Sequence, residues 1–147
     1  MTAAAAKAGG SPPDKLSLVV FSGDFERVHY ALVLAAGAVA SNKPVTLFFT
    51  MGAARALMKD QGWHRLPSAE AACAAEMDRL FAQRGIGTFE ELLQACQALG
   101  AVFMVCEMGL KALGLDAADL RSDITIKPGG VVTFLADASK DGGMMFI

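Results

Sequence analysis

A chain of 147 residues, 54% of them hydrophobic, holds enough apolar surface for one domain with a sizeable core and is too short for two. Its net charge of -2, with 13 Lys and Arg residues scattered along the chain, leaves no basic stripe for a phosphate backbone, so nucleic acid is not an expected partner. The longest purely apolar stretch, Ala31 to Ala40, falls well short of the roughly 20 residues that span a bilayer, which argues against an integral membrane segment.

Residues 1–15 are rich in Ala and Gly, end in Pro12-Pro13 and Asp14-Lys15, and lack the Leu/Val-rich segment of a secretory signal. They read as a flexible tail ahead of a domain over residues 16–147, and the expected compartment is the cytoplasm. Cys73, Cys96 and Cys106 cannot all pair within one chain and form no close CxxC, so free thiols are expected and a structural metal is not.

The first ordered run, Leu16 to Phe21, is rich in β-formers and closes at Ser22-Gly23-Asp24. Phe25 to Ser41 favours a helix that is apolar almost all round in its second half. After the break at Asn42-Lys43-Pro44, Val45 to Thr50 supplies a strand with few polar residues, as expected for a sheet covered on both faces. Gly52 to Lys59 is predicted as a short helix, and Gln61 to Pro67, with Trp63 and His64, as a polar loop.

Ser68 is a candidate cap for a helix carrying Cys73, Met77, Leu80 and Phe81 on one face, interrupted at Arg84 to Gly87. Thr88 and Glu91 then form a capping-box pattern ahead of Leu92, Leu93, Cys96 and Leu99. Ala101 to Cys106 is the third strand, Glu107 to Gly114 a short helix, and Asp116 caps a brief helix that leads to a strand near Ile124 to Ile126. A helix from Gly130 to Gly142 and a strand from Met144 to Ile147 complete the alternation. The order predicts a three-layer α/β/α domain with a mainly parallel sheet of about five strands.

In such a sheet the chemistry sits at the carboxyl ends of the strands. Cys106 occupies that position, followed at once by a helix whose first amides and dipole favour a sulfur anion. The competing reading is a buried core thiol, since Phe103, Met104 and Val105 are core-like neighbours. Glu107 opposes a thiolate if it faces the sulfur and is neutral to it if turned outward. Cys73 and Cys96 share helix spacing with apolar residues and fit helix cores.

The loops Ser22-Gly23-Asp24 and Thr50-Met51-Gly52 are expected at the same edge, where Ser22 and Thr50 offer hydroxyls and Gly23 and Gly52 permit close backbone approach to a small ligand. His29 and His64 are the two imidazoles available to orient or deprotonate a thiol. Neither GxGxxG nor GxxxxGK[ST] is present, so no nucleotide loop is read and no cofactor is inferred.

The runs Leu18 to Asp24, Val45 to Thr50, Gly100 to Leu115 and Gly129 to Ala138 resemble the DsrE-like sulfur-relay family over most of residues 16–147. The resemblance implies a small three-layer α/β domain that carries a persulfide on a cysteine, matched here by Cys106, with Ser22, Gly23 and Asp24 in the matching early loop. In Cys106-Glu107-Met108-Gly109, the small residue three positions after the cysteine also resembles a subgroup pattern. The resemblance further implies sulfur-donor and sulfur-acceptor proteins as partners and a homo-oligomer, often trimer-based. A small-ligand or nucleotide-binding module, or an inactive oligomer subunit, are the alternative expectations.

Overall fold

The computed structural model describes residues 10–147. The start of the expected tail, residues 1–9, lies outside the described residues. Pro13 and Asp14, also assigned to the tail, contact the domain: Lys43 Nζ donates to the Pro13 carbonyl at 2.8 Å, and the Ser139 hydroxyl donates to Asp14 at 2.6 Å.

Five parallel strands form one sheet: β1 (Leu16–Val20), β2 (Val45–Phe49), β3 (Val102–Cys106), β4 (Ile126–Gly129) and β5 (Gly143–Phe146), in the order β4-β3-β2-β1-β5. The central strand β2 is buried at every residue, so its run of apolar and β-branched residues does not alternate with polar ones. The helices are α1 (Phe25–Ala40), α2 (Ala74–Gln83), α3 (Phe89–Ala98), α4 (Glu107–Ala112) and α5 (Val131–Asp137). This is the three-layer α/β/α arrangement that the alternation predicts.

The two faces of the sheet are unequally covered. Leu18, Val20, Leu47, Phe49, Phe103 and Val105 point to the first face, where Val28, Ala31, Leu32 and Ala35 of α1 and Phe89, Leu93 and Cys96 of α3 complete the main core. On the second face a smaller cluster joins Phe48, Met104 and Cys106 to Phe134 of α5. Among the described residues α5 is the one helix that crosses this face, carrying the chain from β4 at one edge to β5 at the other.

Local signals explain the helix ends. The Thr88 hydroxyl oxygen accepts from the Glu91 amide, while the Glu91 carboxylate accepts from the Thr88 amide, closing the expected capping box on α3. The far end of α3 turns on Gly100 at φ 91, with the Ala101 amide reaching back to the Cys96 carbonyl at 2.9 Å. Asn42, at φ 62, ends α1 in the same way.

Four expectations need correction. The predicted helix after β2 is a 3-10 helix, Met51–Leu57, which opens on Met51 in a left-handed backbone at φ 50. The polar loop at 61–67 holds a second 3-10 helix, Gly62–Arg65, whose Trp63 is buried, stacks on Phe89 at 4.9 Å and donates to Glu90 at 2.9 Å. The helix expected from Ser68 starts only at Ala74, because the Glu26 carboxylate takes the Ser68 hydroxyl and the Ala69 and Glu70 amides into a turn. The fourth strand lies at Ile126–Gly129 rather than 124–126; Pro128, which donates no backbone hydrogen bond, is tolerated there because β4 is an edge strand.

Arg121 ties the segment before β4 to the first-face layer. Its guanidinium donates to Glu90 at 2.7 and 3.0 Å and to Asp123 at 2.7 Å. The bonds from Arg121 hold the Asp123 carboxyl down at about 2, below its usual 3.8. Since Asp123 titrates lower folded than unfolded, its stabilisation is complete above about pH 4 and is lost as the pH falls toward 2. Asp123→Asn is expected to flatten that part of the acid limb of a melting-temperature profile; an unchanged limb refutes the assignment. Separately, a Cβ on Gly62 would press on the Arg55 carbonyl oxygen and lie 2.7 Å from Met58 Cβ. Gly62→Ala is expected to cost about 1–3 kcal/mol in urea unfolding through this overpacking.

Candidate functional site

Along β3, Phe103 and Val105 enter the main core, so alternation turns Met104 and Cys106 to the second face. Cys106 is the last residue of β3, pairs with Gly129 of β4, and is also the cap residue of α4. Its extended backbone, φ -78 and ψ 116, directs Sγ back over the first turn, where the Gly109 amide donates to it at 3.3 Å. The side chain is buried, with 1% of its surface exposed.

The two expected loops and the first turn of α4 converge on this strand end. A Cβ on Gly109 would lie 2.7 Å from both the Met51 amide nitrogen and the Thr50 hydroxyl oxygen, so α4 can rest on the end of β2 only with glycine there. Likewise a Cβ on Gly52 would lie 3.0 Å from Gly23 Cα. Thr50 is buried in this junction, and Met51 holds a left-handed backbone beside it. The glycines thus bring Gly23, Gly52, Thr50 and Gly109 together by packing backbone against backbone.

Above the junction opens a cleft of about 610 Å3, lined by Ser22, Gly23, Asp24, Arg27 and Gly52 among polar and small residues and by Phe21, Met51, Leu113, Phe146 and Ile147 as apolar wall. Ser22 Oγ accepts from the Asp24 amide at 3.1 Å, so the hydroxyl oxygen is already engaged in the turn. Asp24 lies 3.9 Å from Arg27, a pair largely exposed to solvent. Cys106 is not part of the cleft lining, and Glu107 is turned to solvent, lining a separate depression with Lys111 and Asp116. Among the described residues no group of three or more His, Cys, Asp or Glu side chains is placed to hold a metal ion.

The histidines lie elsewhere. His29 is buried on α1, with Nε2 at 2.8 Å from the Gly87 carbonyl oxygen and its ring 4.4 Å from that of Phe81. That is the first-face side of the sheet, opposite the cluster that holds Cys106. His64 is exposed, edge-on to Trp63 at 4.2 Å. The other thiols divide. Cys96 fits a helix core as expected, directed at the Leu32 carbonyl at 3.7 Å, and burial pushes its thiol up to about 11. Cys73 does not: it precedes α2 and is exposed.

Sequence reading took Met104 as a core-like neighbour of Cys106 but missed Phe48 and Phe134, which complete the cluster around the candidate sulfur, and it missed Arg27 in the cleft. The β3 alternation carries a signal for Met104, since it puts Met104 on the same face as Cys106 and Val105 on the other. Nothing local showed that the helix after Gly130 would lie on that face.

Known proteins match the chain along nearly its whole length. A Bacillus subtilis protein described as uncharacterized protein YrkE is 26% identical over 156 residues, covering 90% of this chain and 96% of its own. The structure of the protein of unknown function MTH1491 from Methanobacterium thermoautotrophicum superposes with a TM-score of 0.54 at 15% identity, covering 90% of this chain and 98% of that one, a likeness of fold. The family model described as DsrE/DsrF/DrsH-like matches residues 53–146, from the 3-10 helix after β2 to the end of β5. With well over half of the chain matched, the protein belongs to the DsrE/DsrF/DrsH-like family, a membership that suggests a general role in sulfur relay.

Proposed function

We propose that the protein is a cysteine persulfide carrier, or the carrier component of a sulfurtransferase, with Cys106 as the sulfur-bearing residue. The observation that carries the reading is the placement of Sγ at the end of β3 with the Gly109 amide donating to it at 3.3 Å. Family membership supports the chemistry class. The setting proposed is the cytoplasm, where a reducing environment keeps single thiols free; no helix among the described residues is long and apolar enough to cross a membrane.

In the proposed reaction the Cys106 thiolate attacks the outer sulfur of a donor protein's persulfide. The donor S–S bond breaks, the donor cysteine leaves as a thiolate, and a new S–S bond forms on Cys106. An acceptor thiolate then attacks the same outer sulfur and Cys106 leaves. Each step exchanges one thiol for one persulfide, so no outside oxidant is required. The Gly109 amide supplies a fixed donor to the Cys106 thiolate, the state in which it attacks the donor and in which it leaves toward the acceptor. Ser22, Gly23, Asp24, Thr50, Gly52, Glu107 and Gly109 serve in this reading as the frame of the strand end; the bonds made by His29 favour a packing role for it over thiol orientation. A homo-oligomer is part of the proposal, supported by the exposed apolar residues Phe21, Met144, Met145 and Phe146 at the β5 edge of the sheet.

A second reading, small-ligand binding, is favoured by the cleft at the sheet edge, whose Arg27 and Asp24 project among apolar walls while Cys106 stands apart.

After incubation with polysulfide, the intact mass is expected to gain one dithiothreitol-removable sulfur in the wild type, Cys73→Ser and Cys96→Ser, and none in Cys106→Ser. Equal uptake by Cys106→Ser overturns the carrier reading. Gly109→Ala, which forces α4 off Thr50 and Met51, is expected to slow uptake at Cys106 at least tenfold. Thermal stabilisation by a small anion retained in Cys106→Ser and lost in Arg27→Ala would instead select the ligand-binding reading.

A further inference from the structure

A sulfur that exchanges with a partner's cysteine must be approached in line by a second sulfur, yet Cys106 is 1% exposed. On the second face the helix packed on the Cys106 cluster is α5. Phe134, the one buried residue of that helix, joins Phe48, Met104 and Cys106 in a cluster and stacks on Phe48 at 4.9 Å. The other apolar residues of α5, among them Val131, Val132 and Leu135, contribute their surface to solvent.

A helix of seven residues does not hold itself together in water, so α5 depends on what it docks against. Two attachments do this: Phe134, and Asp137, whose carboxylate accepts from Lys15 Nζ at 2.8 Å and from the Thr46 hydroxyl at 2.6 Å. Both are few and peripheral compared with the contacts that seat α1 and α3. The start of the helix also lies beside the thiol, because Gly129 pairs with Cys106 and Gly130 is the next residue. A Cβ on Gly130 would meet nothing within 4 Å and its φ of -138 suits any residue, so packing does not explain a glycine there.

Resting on the reading of Cys106 as sulfur carrier, we propose that α5 is a lid. It swings about Gly130 and the exposed turn after Ala138, lifting Phe134 from the sulfur to admit a donor or acceptor cysteine and closing to shelter the persulfide between transfers. The Lys15–Asp137–Thr46 contact is its latch, and Phe134 is a positioning residue that acts by covering the sulfur.

The three thiols supply a scale for the test. Native full-length protein is labelled with iodoacetamide, each cysteine is followed by peptide mass spectrometry, and rates are divided by those of the same peptide in urea-unfolded protein. Exposed Cys73 reports open chain and Cys96, at 0% exposure, reports global unfolding. Cys106 is expected to label more slowly than Cys73 and faster than Cys96. Asp137→Asn and Phe134→Ala are each expected to raise the Cys106 rate about tenfold relative to Cys96, a ratio that general destabilisation does not move. Labelling of Cys106 in step with Cys96 in all three proteins overturns the lid, as does labelling as fast as Cys73 in the wild type. Polysulfide uptake separates the two claims. Gated labelling without sulfur uptake supports the lid and sinks the carrier, whereas uptake at a rate indifferent to both substitutions sinks the lid and leaves the carrier.

Discussion

Everything at the carboxyl edge of the sheet depends on backbone packing directly against backbone. Gly109 lies on the Met51 amide and on the Thr50 hydroxyl and Cα, and Gly23 lies on Gly52 backbone to backbone. This fixes where α4 begins and therefore where the Gly109 amide points, which in turn fixes the Cys106 sulfur. The closeness has a cost in Met51, whose left-handed backbone disfavours a residue with a Cβ by about 1 kcal/mol or more. The same closeness leaves the ligand-sized cleft beside the sulfur rather than over it.

The unequal covering of the sheet separates stability from access. The first face carries α1 and α3 with most of the buried side chains, and the Arg121 contacts with Glu90 and Asp123 brace its outer layer. The second face has a four-residue cluster and one short helix. Local opening is cheapest where few apolar contacts must be given up, and the candidate sulfur lies on that side. Alternation along β3 assigns it there: one residue earlier, at Val105, a thiol would point into the main core with Phe103.

Much of this was legible in the sequence where the determinants are local. Continuous apolar runs marked β1, β2 and β3, Thr88 and Glu91 marked the start of α3, and Cys106 stood visibly at a strand end before a helix. The resemblance to the DsrE-like family agrees with the family to which the chain belongs. Legibility failed where a distant group decides the outcome. Glu26 unwinds the residues after Ser68 and leaves Cys73 exposed; Glu90 and Phe89 draw Trp63 out of an apparently polar loop; an edge position admits Pro128 into β4. The side of the sheet taken by α5 is set by the return of the chain to β1, and no residue within 130–142 encodes it.

The strand order also bears on how the chain is made. β2, β3 and β4 each add beside the strand before them, so the sheet can grow outward as residues leave the ribosome, whereas β5 must return to the first strand, pairing Gly143 with Leu16 across almost the whole described chain. Contacts so distant in sequence form late. The helix that covers Cys106 arrives with that last strand. During synthesis the Cys106 side of the sheet therefore stays uncovered until α5 and β5 have been made.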